Sequence, residues 1–430
     1  MGRGLGFMVP FFIAAWFGVT EQTDAFFYAY GWILFLAGIF SRVLENIVVP
    51  FIAQALSEKR SVGEFIGSIM GVGGAAMIGL AIIMAFAAKP LLMLITRFDE
   101  GTIGLVFKLL LETSPLLLLL VFSSVVIGAA NALKKFAFPA FSPGLRAVVT
   151  LAVILLLKAS LGIHSVAVGY LLGETVRLVA LLWVLGRQAG IRIRVTLRLD
   201  SRLLEFFKTA SYQLLGMLLV GFTPIVDKTM ASWLGTGSVS LLHYADRLYI
   251  VPVTLLSAGF LTALLSHWSE RFYGSGIERL ERDVARMMPV AFVVSILVAG
   301  ALFAGSRFFV HLTYGHGGLG EEALGQVRLL WLILLIGFIP QMVSMVLVHA
   351  HLVLKNTVFL LKLAGLSLTL NLVLNLVLMQ WLGLTGIVIS TSASSFVTLW
   401  FTHRAFRKIV HTLGSRLPPE VIGDGSTPTD

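Results

Sequence analysis

The chain has 430 residues, of which 57% are hydrophobic and only 13% charged, with a mean hydropathy of +0.93; that is too much apolar surface for a water-soluble domain. Long apolar runs recur along its whole length, so the fold class is all-α and membrane-integral. The net charge of +10 is not gathered into a nucleic-acid-like patch, and the absence of cysteine excludes disulfides, thiolate metal sites and cysteine nucleophiles.

In chain order, twelve spans are predicted, at about residues 4–18, 25–55, 64–88, 104–131, 139–158, 163–186, 205–233, 240–267, 287–309, 323–351, 357–380 and 385–406. The first lacks a signal-peptide cleavage site and is short: Leu5 to Gly18 offers ~14 residues where a bilayer needs about 20. Thr20 to Asp24 then make a polar turn, with Thr23 or Asp24 placed to cap the second helix. That helix carries Arg42 and Glu45, three apart and so on one face, and Pro50, where a kink is expected. In the fourth span Lys108 and Glu112 read as an ordinary i,i+4 pair, and Pro115 as a kink. In the sixth, Glu174 and Arg177 share a face and read as structural.

The stretch from Asp227 to Arg271 is the most informative. Asp227 lies late in the seventh span, an uncharged turn runs from Leu234 to Ser240, and the eighth span holds His243, Asp246 and Arg247 inside an apolar run. Ionisable groups in membrane helices cost roughly 2.5–3.5 kcal/mol each, so they mark a functional interior by default. The alternative is that Asp246 and Arg247 lie close enough to a helix end to snorkel to water. Residues 270–286 alternate in charge and read as a helix on the membrane surface. Asn371 and Asn375 share one face of the eleventh span, and the serines from Ser390 to Ser395 in the twelfth read as packing residues. Asp227, Asn371, Asn375, Thr391 and a backbone carbonyl near Ile387 offer hard oxygen ligands, which suit Na⁺ as a coupling ion. The plainer reading is that the asparagines only bridge helices.

Nineteen lysines and arginines fall in the loops on one side, against four (Lys89, Arg97, Lys158 and Arg307) on the other. The positive-inside rule therefore puts both termini in the cytoplasm. The chain also repeats itself: Leu133-Lys134-Lys135 answers Leu354-Lys355-Asn356, and Leu161-Gly162 answers Leu382-Gly383, at a shared offset of 221. Two pseudo-symmetric six-helix lobes around a central cavity are expected, over 1–190 and 205–408, with a basic linker at 191–204 and a disordered tail at 409–430. Transporters built from repeats bind substrate between the halves and rock them.

Thr23-Asp24-Ala25-Phe26-Phe27, Phe138-Pro139-Ala140-Phe141-Ser142-Pro143, Tyr244-Ala245-Asp246-Arg247-Leu248 followed by Pro252, and the Asn371–Asn375 helix closing on Leu382-Gly383 resemble the MurJ/MviN family over about residues 2–408. The resemblance implies a flippase of lipid-linked peptidoglycan precursor, in a superfamily that also holds multidrug exporters. It also implies departures. Arg3 and Arg247 match cavity arginines, but three further family arginines fall at Val9 and near Ala37 and Gly38, and the family's acidic residue after Arg247 is Ile250. The family begins upstream of Arg3 and has fourteen spans where this chain has twelve.

Arg3, Asp24, Arg42, Glu45, Asp246 and Arg247 are the candidate substrate-binding residues. A polyprenyl-pyrophosphate-linked sugar in the bacterial cytoplasmic membrane fits their charge, because arginines give phosphate charge-assisted hydrogen bonds. No catalytic constellation, nucleic-acid partner or second chain is expected; the protein reads as a monomer among membrane lipids. The alternatives are a cation-coupled drug exporter of the same fold, whose cavity would favour carboxylates, and a non-transporting envelope scaffold.

Overall fold

The computed structural model describes residues 2–58, 61–191, 193–257 and 260–414. Side chains are described at all of these except 2–5, 7, 46, 212–213, 215–216, 219–220, 260–267, 269–271, 273–276 and 413–414. The described residues form fifteen helices and no strand. The first seven are α1 (Gly2–Phe17), α2 (Glu21–Ser57), α3 (Val62–Ile95), α4 (Glu100–Thr113), α5 (Pro115–Ala132), α6 (Ala137–Leu161) and α7 (His164–Ala189). The rest are α8 (Ser201–Gly221), α9 (Thr223–Ala231), α10 (Ser238–Ser257), α11 (Phe260–Ala304), α12 (Ser306–Tyr314), α13 (Glu321–Val353), α14 (Thr357–Leu382) and α15 (Leu384–Gly414).

Nine stretches among the described residues are long and apolar enough to cross a bilayer. The other three predicted spans are α1, which is short; α8–α9, broken at Phe222 ahead of Pro224; and α10, which is diluted by Asp246 and Arg247. These three departures from a plain apolar span are the elements that build the sites below. Proline explains two breaks: Pro115 separates α4 from α5, and Pro224 opens α9, each near a helix start where its missing N–H costs nothing. Phe86, Leu94, Leu156 and Trp381 are more than three-quarters exposed on the outside of the bundle, where lipid replaces water as the solvent.

Several local expectations change. Thr20, not Thr23 or Asp24, caps α2, and Thr23 returns the bond to the Thr20 backbone. Glu112 pairs with His164 (2.7 Å) rather than with Lys108. The segment 270–286 runs on without interruption into a span as part of α11, because Ile277, Leu280 and Val284 bury against Val346, Ala350 and Phe406 of α13 and α15. The disordered tail expected from 409 is contradicted over its first residues, since α15 stays helical through Gly414; residues 415–430, Arg416 among them, lie outside the described residues.

Helices α1–α7 pack mainly among themselves, as α6 on α7 and on α1, and α2 on α4 and α5. Helices α10–α15 do the same around α13. The halves meet where α1 and α2 touch α8, α9, α10 and α12. The linker is not a free tether. It lies on α3, where Thr196 N–H donates to Gly67 O (3.3 Å), and a Cβ at Gly67 or Gly71 would stand 1.8 or 2.0 Å from the linker carbonyls of Arg194 and Thr196.

The internal repeat is visible in the backbone. Lys134 (φ 59°) and Lys355 (φ 54°) are the non-glycine residues with positive φ among those described, and they are 221 apart. Gly162 (φ 53°, ψ −133°) and Gly383 (φ 56°, ψ −134°) cap α6 and α14 at the same offset. Lys135 N–H donates to Ala130 O as Asn356 N–H donates to His351 O. L-residues avoid this region, so two lysines sharing it at matched positions mark one hairpin used twice.

Candidate substrate cavity and cation site

One face of the bundle carries the basic connections at 133–136, 190–200 and 354–356, and the other carries 18–20, 96–99 and 234–237. At this second face the halves are sealed together. The Asp24 carboxylate, 1% exposed, accepts from Gly237 N–H (2.5 Å), Ser240 N–H (2.7 Å) and Ser240 Oγ–H (2.5 Å), so it caps α10 from across the interface. A carboxylate at that place also meets the positive end of the α10 dipole. Around it Tyr244 Oη donates to Gly18 O (2.8 Å), Tyr28 and Thr229 share a hydroxyl bond (2.9 Å), and Trp233 Nε1 donates to Ile95 O (2.8 Å). Lys228 reaches across to Phe27 O (3.1 Å) and lies 3.4 Å from His243 Nδ1.

Of the predicted substrate residues, Asp24 is therefore committed to the seal. Arg3 lies on α1, and its side chain is outside the described residues. Arg42 is exposed on α2, while Glu45 is half-buried and acts electrostatically on Arg177. Asp246 and Arg247 are half-buried below the seal. Asp246 feels both Asp227 and Lys228, and Arg247 Nη2 donates to Gly6 O in α1 (3.4 Å).

Sequence reasoning missed Arg146. It lies on α6, where Nη1 donates to Glu174 Oε2 (3.2 Å), while 24% of its side chain stays exposed. Glu174 is fully buried and also accepts from Ser123 Oγ–H (2.5 Å) and Arg177 Nη1–H (3.1 Å); Arg177 Nε donates in turn to Ser142 Oγ (3.0 Å). Arg146 thus uses one nitrogen on a carboxylate that Arg177 also uses. Tyr30 of α2 and Tyr170 of α7 pack ring to ring within the same half, their centroids 4.5 Å apart.

The predicted cation residues come together. Asp227 Oδ1 accepts from Asn375 Nδ2 (2.7 Å), and Thr391 Oγ1 lies 3.4 Å from Asp227 Oδ2 and 3.2 Å from Ile387 O. Asn375 Nδ2 also reaches Asn371 Oδ1 (3.2 Å), and Asn371 Nδ2 donates to Thr391 Oγ1 (3.3 Å). Asp227, Asn371 and Asn375 are buried, and Lys228 points away from its neighbour Asp227. Asn375 Oδ1 is buried with no hydrogen-bond partner, and turning the amide over would set its oxygen against the Asp227 carboxylate. An orphaned acceptor beside a carboxylate, a hydroxyl and a backbone carbonyl fits a hard cation.

Two repeated helical halves sealed at one face by a buried carboxylate have the architecture of a multi-pass membrane transporter. The chain belongs to the lipid II flippase MurJ family, whose sequence model matches residues 13–417. A probable lipid II flippase MurJ of Aquifex aeolicus is 25% identical over 331 residues, which is 75% of this chain and 64% of that protein's length. Among solved structures, lipid II flippase MurJ in an inward closed conformation aligns at TM-score 0.82 and 20% identity, covering 96% of this chain and 88% of that one. An inward-facing MATE multidrug transporter aligns at TM-score 0.83 and 14% identity, covering 97% and 96%.

Proposed function

We propose that the protein carries a polyprenyl-pyrophosphate-linked sugar, lipid II or a close chemical relative, across the bacterial cytoplasmic membrane by alternating access. The observation that carries this reading is a partly exposed guanidinium on each half, Arg146 on α6 and Arg247 on α10, the latter reaching across to Gly6 O of α1. A pyrophosphate cannot enter lipid unaided, because burying its charge is prohibitive. Two arginines from halves that move against each other supply charge-assisted hydrogen bonds in the protein's interior. Arg146 offsets part of the cationic character lost at Val9, Ala37 and Gly38. With the basic face and both termini in the cytoplasm, the Asp24 seal closes the outer side and the substrate enters from within. The protein works as a monomer.

The Asp227 cluster is read as a Na⁺ site that couples transport to an ion gradient. A bound cation would satisfy Asn375 Oδ1 and offset the burial of Asp227. Two experiments test the whole. Expression in a strain depleted of its own flippase should restore growth, and Arg247→Ala should not. Folded, inserted wild-type protein that gives no rescue would point to the scaffold, and drug resistance in its place to the exporter. Thermal stability in Na⁺ against a large organic cation tests the coupling ion.

A further inference from the structure

The offset of 221, fixed by the Lys134/Lys355 and Gly162/Gly383 backbone pairs, allows the two interiors to be compared residue by residue. The N-terminal cluster of Ser123, Arg146, Glu174 and Arg177 corresponds to Ser344, Ser367, Ser395 and Thr398. All four of these hydroxyl residues line one cavity of about 510 Å³ within the C-terminal half. Three long charged side chains fill the N-terminal interior, and at the matched place short hydroxyls leave a void.

The void bears marks of water. Ser344 Oγ is buried without a partner, because the glutamate that receives Ser123 in the other half is here Ser395, whose own hydroxyl turns to Thr391 O (3.2 Å). Ser394 Oγ, also on the lining, is likewise buried and unpartnered. An unsatisfied buried polar atom costs about 1–3 kcal/mol. At roughly 30 Å³ per water, a cavity of this size holds more than a dozen molecules able to satisfy them. Met345, Val348, Leu360, Leu363 and Ala364 form an apolar wall, and among the described residues no lining side chain is charged. At one end are Thr391, which reaches Asp227, and Asn371, which donates to Thr391. At the other it reaches Leu360 and Val348, within two turns of the connection at 354–356 on the basic face.

We infer that this cavity is a hydrated vestibule through which a small monovalent cation passes between the solution at the basic face and the Asp227 cluster, apart from the path of the lipid-linked substrate between the halves. The inference takes its cargo from the cation reading above. The chain has no cysteine, so single-cysteine variants are clean probes. Ser367→Cys, Ser395→Cys and the lipid-facing control Val373→Cys would each be treated, in vesicles exposing the basic face, with a cationic and an anionic methanethiosulfonate reagent. Both serine variants should react with the cationic reagent about tenfold faster than with the anionic one, as the field of a buried carboxylate dictates. Val373→Cys should react with neither. Vestibule cysteines as inert as Val373→Cys mean a dry or lipid-filled cavity, and equal rates with both reagents mean no cation path; either overturns the inference. A second measurement uses the triple variant Ser367→Arg, Ser395→Glu, Thr398→Arg, which transplants the N-terminal cluster. Once size-exclusion chromatography shows it folded, it should protect an added Ser344→Cys from the cationic reagent, and full labelling there would also overturn the inference. Failure of the cation reading itself is seen separately, as unmodified protein whose melting ignores Na⁺ while the labelling pattern holds.

Discussion

The two halves share a backbone and differ in what they bury. In the N-terminal half Glu174 is satisfied by Ser123, Arg146 and Arg177 from three helices, and charged side chains occupy that interior. In the C-terminal half the matched positions carry hydroxyls, the interior is hollow, and the carboxylate has moved to Asp227 on α9, facing amides rather than guanidiniums. The first carboxylate is matched by guanidiniums, whereas the second faces a neutral amide and a hydroxyl. The same hairpin thus carries a charged cluster in one half and short hydroxyls in the other.

The comparison is broken most forcefully at Glu174. Glu174→Ala strands two guanidiniums in the N-terminal interior, and losing one partner of a buried ion network costs about 3–5 kcal/mol. The folded yield and melting temperature should fall sharply, whereas Ser395→Ala at the matched position should melt like the wild type; equal effects would show that the halves are not specialised. Next, Arg247→Ala should abolish transport in folded protein, and Arg247→Lys should restore it only in part, because lysine keeps the charge but loses the bidentate fork. Full activity in Arg247→Ala removes its role as phosphate ligand. Asp227→Asn should abolish Na⁺-dependent stabilisation, which amounts to about 2.7 kcal/mol when the ion is present at a hundred times its Kd. A Na⁺ response that survives in Asp227→Asn would move the ion elsewhere. The smallest effect sharpens the symmetry itself: Lys134→Gly and Lys355→Gly should each stabilise by roughly 0.5–1 kcal/mol by relieving positive φ. A gain at one lysine and a loss at the other would mean that the two hairpins are not equivalent.

The fold was largely legible in the sequence because apolar spans and alternating basic loops report directly on a bilayer. The Asp227 cluster was legible too, since two asparagines four apart on an apolar helix are too costly to leave facing lipid and must turn to a polar interior. The seal and Arg146 were not. Asp24 meets Gly237 and Ser240 more than two hundred residues away, and no local period links them. Arg146 lies close to Pro143 and resembles an interfacial arginine; only the contact with Glu174 from α7 shows its place. Glu174 and Arg177 read correctly as a structural pair, but their partners come from α5 and α6. The shared offset of 221 was the signal that could have joined them, by showing where one half keeps charges and the other does not.

The broken seventh span also has a mechanical meaning. Its first part, α8, is anchored on the N-terminal half, where Arg202 donates to Phe51 O (2.6 Å) and Phe206 packs on Phe51 and Phe65. Its second part, α9, belongs through Asp227 to the C-terminal half. With the linker pinned along Gly67 and Gly71, little slack remains upstream. Rotation of one half against the other then bears on the joint at Phe222, a little over one helical turn from Asp227. The joint between the halves and the buried Asp227 carboxylate thus lie on the same few residues.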